Sequence, residues 1–190
     1  MSIQSEEKGL RIAVLRVGAV DKAVAQSIGI DLCKIFPETA CAVFEEAMPI
    51  PQDAYSSTRH QYDSSRILAR IPDLVEDHDA ERVLGIADMD LYAPHLNFVF
   101  GEAECPGRLA IISLSRLRPE FYGHPPNKAL LHERSVKEAV HEIGHTLGSR
   151  HCRNPKCVMF FSNSLLDTDR KGQTFCESCY PLVAKHISIG

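Results

Sequence analysis

Several things are missing from this 190-residue chain, and each absence removes a class of function. There is no surplus of basic residues. Lys and Arg number 21 against 25 Asp and Glu, a formal net charge of −4, so no general positive field exists to recruit nucleic acid. No unbroken apolar run approaches about eighteen residues, so no membrane span or membrane partner is expected. The opening MSIQSEEKGLRIAVLRV lacks the basic n-region, apolar core and small-residue cleavage site of a signal peptide. The simplest expected localisation is the cytoplasm. Internal repeats and low-complexity tracts are absent. An odd number of cysteines, seven, argues against a complete disulfide framework.

What remains is an ordinary globular balance, 44% apolar against 24% charged, in a length that fits one domain with a small appendage. A polar stretch, residues 1–9, comes first. Residues 10–17 (LRIAVLRV) read as a strand, and Asp21 can cap a helix through about Phe36, with Val24, Ile28, Leu32, Ile35 and Phe36 on one face. Residues 40–48 read as a second strand, which makes a βαβ unit. A second helix is expected over 59–71, stopped by Pro72. Residues 82–87 form a third strand, and 96–101 and 108–115 an antiparallel hairpin about a Glu-Cys-Pro-Gly turn. Asp88 and Asp90 follow the third strand; exposed loop carboxylates are the default reading, a place near the cleft the other. The composition shifts near residue 151, where regular elements are expected to stop and cysteines begin. This gives an α/β (α+β) fold with a mixed sheet and packed helices, divided into residues 1–150 and a short C-terminal part, 151–190.

The chemistry concentrates in HEIGHTLGSRHC, residues 141–152. Ser135 and Glu138 fit a capping box, so a helix is expected from Ser135, or one turn earlier, to Gly148. At about 100° per residue, Val136, Ala139, Val140, Ile143 and Leu147 make one apolar stripe, and His141 and His145 fall together on the opposite side. Two imidazoles at i and i+4 can ligate one metal. Glu142, offset in angle, would miss the metal and reach a water, the position of a general base. Gly148 lets the chain leave the helix sharply, so His151 can return to the same ion. Three imidazoles leave a fourth position open, as catalytic zinc requires. The five fixed positions would arise by chance on the order of once in ten thousand such chains.

Cys152, Cys157, Cys176 and Cys179 form two short clips, C-x4-C and C-x2-C, able to close a zinc site made of four thiolates. Neighbouring side chains in an extended stretch point opposite ways. His151 can therefore face one metal while Cys152 faces another. Two zinc ions are expected, one catalytic and one structural. Cys33, Cys41 and Cys105 are scattered and read as small buried apolar residues.

The pattern His-Glu-x-x-His-x-x-Gly-x-x-His followed by Met159 resembles the metzincin clan of metallopeptidases. With Cys152, C-x4-C-x-M and FCESC added, the match over residues 141–179 resembles the archaemetzincin family. That resemblance implies a metzincin-like fold and zinc-dependent hydrolysis of a peptide or protein substrate. It implies His141, His145 and His151 as catalytic zinc ligands, Glu142 as base and acid, and the four cysteines as ligands of a second zinc. Gly148 and Met159 support the site, Met159 by packing beneath the histidines. Peptide can bind by strand addition at an exposed sheet edge, for which residues 108–115 are one candidate and an ordinary core strand the other reading. A non-catalytic zinc-binding interaction protein and a hydrolase of non-peptide amides are the alternative functions. A monomer is the favoured state.

Overall fold

Strand β1 (Arg11–Val17) is buried on both faces, and that sets the layers around it. Ile12 and Val14 point into one apolar cluster, Ala13, Leu15 and Val17 into another. A strand with two buried faces must have a covering layer on each side, the signature of parallel sheets. The computed structural model describes residues 9–75 and 78–187, so part of the polar stretch 1–9 lies outside it.

The first covering helix, α1 (Lys22–Ile35), starts where the sequence places it. Asp21 accepts a hydrogen bond from the Ala23 N–H at 2.9 Å, a side-chain N-cap. Ala25, Ile28 and Leu32 are buried, while Val24 and Ile35 pack at the cluster's margin. The chain returns through β2 (Ala40–Val43), parallel to β1, completing the expected βαβ unit.

The expected helix over 59–71 is replaced by a smaller structure. His60 adopts a left-handed φ of 54° and turns the chain. Gln61–Asp63 then become strand β4, antiparallel to β3 (Tyr55–Ser56). Only Ser64–Leu68 is helical, as α2, capped by Asp63. Pro72 does not merely stop a helix: it opens α3 (Pro72–Val75), where its missing N–H costs nothing.

Strand β5 (Arg82–Ala87) pairs in parallel with β1, and the short β6 (Leu91–Tyr92) joins β4. The expected hairpin is present, but its first strand is displaced from 96–101 to β7 (Gly101–Ala103), which pairs with β8 (Leu109–Ser113), shorter than the expected 108–115. Strand order in the main sheet is β2-β1-β5-β8-β7, four parallel strands and one antiparallel edge. This decides between the two readings of residues 108–115 in favour of the core strand. β8 is internal and buried at all five positions, so β7 is the edge strand.

The motif helix α4 runs Lys128–Thr146, one to two turns longer at its start than expected. Its cap is Asn127, whose Oδ1 accepts from the Leu130 N–H at 3.0 Å. Ser135 lies inside the helix, donating its hydroxyl to the Leu131 carbonyl at 2.7 Å, so the Ser135–Glu138 pattern is not a cap. The region beyond 151 is not devoid of regular structure. It holds α5 (Leu165–Arg170), with a capping box at Ser164 and Asp167, and α6 (Tyr180–Ile187). Among the described residues no helix is long and apolar enough to cross a membrane.

Phe36 lies wholly buried under the sheet, edge-on to Phe175 with ring centroids 5.7 Å apart. It links α1 to the chain entering the second cysteine clip. Phe36→Ala should lower the unfolding free energy by about 3–5 kcal/mol in urea denaturation. A loss below about 1 kcal/mol would show that this contact is not part of the core.

Candidate active site and metal centres

The apolar stripe of α4 is where the helical angles put it: Val136, Ala139, Val140, Ile143 and Leu147 are all buried against the sheet and α1. The opposite side is a cleft wall rather than a solvent face. His141 is 4% exposed and Glu142 5%, covered by the edge strand and by the chain around Met159.

The Nε2 atoms of the three histidines converge. His145 Nε2 lies 3.1 Å from His141 Nε2 and 3.2 Å from His151 Nε2. Zinc–nitrogen bonds of about 2.0–2.1 Å at tetrahedral angles give edges of about 3.3 Å, so the spacing fits one ion. Two of the other ring nitrogens are engaged. His141 Nδ1 donates to the Val158 carbonyl at 2.8 Å and His145 Nδ1 to the Ser149 carbonyl at 2.7 Å. A carbonyl only accepts, so each Nδ1 carries the proton and each Nε2 presents a lone pair. Burial lowers the pKa of all three, most strongly for His141, where Lys171 and His145 add to the effect. The imidazoles therefore stay neutral, the form that binds metal.

Gly148 adopts a φ of +87° at the end of α4 and lets the chain turn back to His151. Two further glycines shape the site, and their role was not visible in the sequence. A Cβ on Gly101 would fall 2.6 Å from Glu142 Oε1, so the edge strand lies directly against that carboxylate. A Cβ on Gly144 would fall 2.6 Å from Met159 Sδ and 3.0 Å from the Phe175 ring. Met159 thus reaches the underside of the helix between the two histidine turns. Burial raises the pKa of Glu142 well above the usual range; the charges of Glu138 and Glu102 add to the rise, and Lys171 opposes it.

The four cysteines form the second cluster, with sulfurs within 4.8 Å of one another. Cys152 and Cys176 sulfurs are 3.8 Å apart, far beyond a disulfide bond. Zinc–sulfur bonds of about 2.3 Å predict tetrahedral edges of about 3.8 Å. Backbone N–H groups of Asn154 and Cys176 point at the sulfurs of Cys152 and Cys157, both at 3.4 Å. Although desolvation works against it, backbone hydrogen bonds near Cys179 bring the Cys176 thiol down to about 7, while burial pushes Cys157 up. The remaining three cysteines do not all fit the expected buried role, since Cys105 is exposed and Cys33 and Cys41 are half-buried. Asp88 and Asp90 are not in the cleft: each is ion-paired, to Arg118 and Arg116.

A sequence model described as peptidase family M54 matches residues 40–185, about three quarters of the chain. Over 170 residues, 90% of each chain, the sequence is 46% identical to the archaemetzincin of Methanocaldococcus jannaschii. The chain belongs to peptidase family M54, the archaemetzincins. Solved archaemetzincin structures carry the same fold. That from Methanopyrus kandleri superposes with a TM-score of 0.80 at 36% identity, covering 94% of this chain and 95% of that one. That from Archaeoglobus fulgidus, complexed with malonate, gives 0.78 at 38% identity, covering 91% and 99%. Membership makes the chain a zinc metallopeptidase, a hydrolase.

The close approach at Gly144 gives a test of the helix–turn packing. Gly144→Val should cost about 1–3 kcal/mol by overpacking Met159 and Phe175, read as a lowered denaturation midpoint. Wild-type stability in that variant would show that the methionine has room to move.

Proposed function

We propose that His141, His145 and His151 hold the catalytic zinc, that Glu142 transfers the proton in peptide-bond hydrolysis, and that Cys152, Cys157, Cys176 and Cys179 hold a second, structural zinc. The observation that carries this reading is the convergence of three Nε2 lone pairs beside a buried carboxylate. When bound there, zinc supplies Lewis acidity that acidifies a water and polarises the scissile carbonyl. The Glu142 carboxylate takes the proton of the attacking water and delivers it to the departing amine. Its burial raises its basicity, which favours that exchange. His141 and His145 are held in the ligating tautomer by Val158 and Ser149. The substrate backbone pairs with the outer edge of β7, extending the sheet by one strand beside Glu142. Residues 1–150 supply the catalytic framework and 151–190 the zinc-braced part that closes it. All seven cysteines are free, which suits a reducing compartment, and we place the protein in the cytoplasm.

Metal analysis of the purified chain should give two zinc ions, of which the one at the histidines, with an open side, leaves first to a chelator; a single ion per chain would refute the two-site assignment. Glu142→Gln should keep both ions and lose about 10²- to 10⁴-fold in kcat on a peptide library read by mass spectrometry. Cleavage at the wild-type rate would remove Glu142 from the mechanism.

A further inference from the structure

A pocket of about 170 Å³ opens beside the histidines. Its walls are the chain before the edge strand, residues 96–101, and the chain after Met159, residues 161–163. Its third side is α4, through His141, Glu142 and Glu138. A dry cavity of about 150 Å³ accommodates benzene, so this one takes the end of one side chain. Glu138 stands one helical turn from Glu142, about 6 Å along the axis. It therefore lies at the far end of the pocket when a scissile bond is at the metal.

Glu138 is only 2% exposed, yet it is a carboxylate, and such a group is buried only when it is held. Thr168 Oγ1 donates to its Oε1 at 2.9 Å. Lys171 Nζ stands 3.0 Å from the same oxygen, a charge contact whose alignment falls short of a hydrogen bond. Both of these contacts fall on Oε1. Lys171 is fully buried behind the carboxylate and does not line the pocket. On the opposite wall the Ser162 hydroxyl is buried without a partner. Among the described residues no Lys or Arg lines the pocket; its ionisable groups are Glu138, Glu142 and His141.

We propose that Glu138 is a specificity residue: its Oε2, fixed by Thr168 and Lys171, receives a substrate side chain ending in an N–H donor, lysine or arginine above others, from the residue flanking the scissile bond. The proposal rests on the peptidase reading of the histidine site. An acidic side chain would meet Glu138 and Glu142 and is rejected. A hydrogen bond to a charged group gives about tenfold discrimination or more.

Two measurements test this. In a peptide-library digest by the zinc-loaded wild type, lysine and arginine should exceed aspartate and glutamate by about tenfold or more at one position next to the cut. In Glu138→Gln/Lys171→Met, which removes both charges and keeps an acceptor for Thr168, that ratio should fall below about threefold. Equal cleavage of basic and acidic peptides by the wild type overturns the proposal, and this arm decides whether or not the double variant folds. The second measurement is binding, by titration calorimetry, of two dipeptide hydroxamates differing only in a lysine or glutamate side chain. The lysine form should bind about tenfold more tightly or better. If no peptide is cut while that preference holds, the peptidase reading fails and the subsite stands; equal binding of both probes overturns the subsite.

Discussion

The hydrogen bond from His141 Nδ1 to the Val158 carbonyl ties the active-site helix to the segment on which everything else hangs. Within nine residues that segment carries His151, Cys152, Cys157, Val158 and Met159. It has almost no regular structure of its own. Its shape comes from a few cross-links: Cys152 N–H to the Met159 carbonyl at 2.9 Å, Val158 N–H to the Thr174 carbonyl at 3.0 Å, and Cys176 N–H to Cys157 sulfur at 3.4 Å. One end of each cross-link lies at or next to a cysteine or Met159. Core burial holds Cys157, Val158 and Met159, and metal ligation at the proposed cysteine site would add to that order, because binding free energy becomes folding free energy. Under the proposed assignment a second zinc would help to keep the Val158 carbonyl in place, and that carbonyl holds His141 in the tautomer with Nε2 free to ligate.

The helix α4 serves three partners around its circumference. One face closes the sheet, one faces the cleft, and its underside admits Met159 because position 144 is glycine. The remaining fixings are ionic. Arg134 grips Asp169 through two bonds at 2.7 and 2.8 Å, and Lys171 meets Glu138 one turn further along. Both hold α5 against α4. Breaking a buried pair of this kind costs far more than an exposed one, since it leaves an uncompensated charge. The same contacts that dock the C-terminal part thus set the charges around the cleft, which is why Lys171 acts on His141 and Glu142 together.

Much of this was legible in the residues. The two clusters able to hold a metal were, because coordination chemistry fixes both residue type and spacing, and the helix angles of residues 136–147 followed from periodicity alone. Strand β1, α1 and β5 were legible because apolar runs and a capping aspartate mark them locally. The failures were all non-local. Residues 61–63 pair with strands that lie elsewhere in sequence, so a helical pattern there misled. The Ser135–Glu138 pattern is a cap only if the helix starts there, and Asn127 starts it sooner. Whether residues 109–113 lie at an edge or in the core depends on pairing order, which the sequence left open; they lie in the core, beside the edge strand Gly101–Ala103. Gly101 and Gly144 have meaning only through what lies against them. Glu138 and Lys171 come from separate elements, and nothing in either neighbourhood announces the other.

The central claim is that the cysteine site holds the histidine site in shape. It is tested most directly by metal analysis of Cys157→Ser/Cys176→Ser, after dialysis against a mild chelator at a concentration the wild type survives with both ions. The expected result is that this variant loses zinc from the histidines as well as from the cysteines, retaining well under one ion per chain. A variant that keeps one full zinc at His141, His145 and His151 and cleaves peptide at the wild-type rate would contradict it.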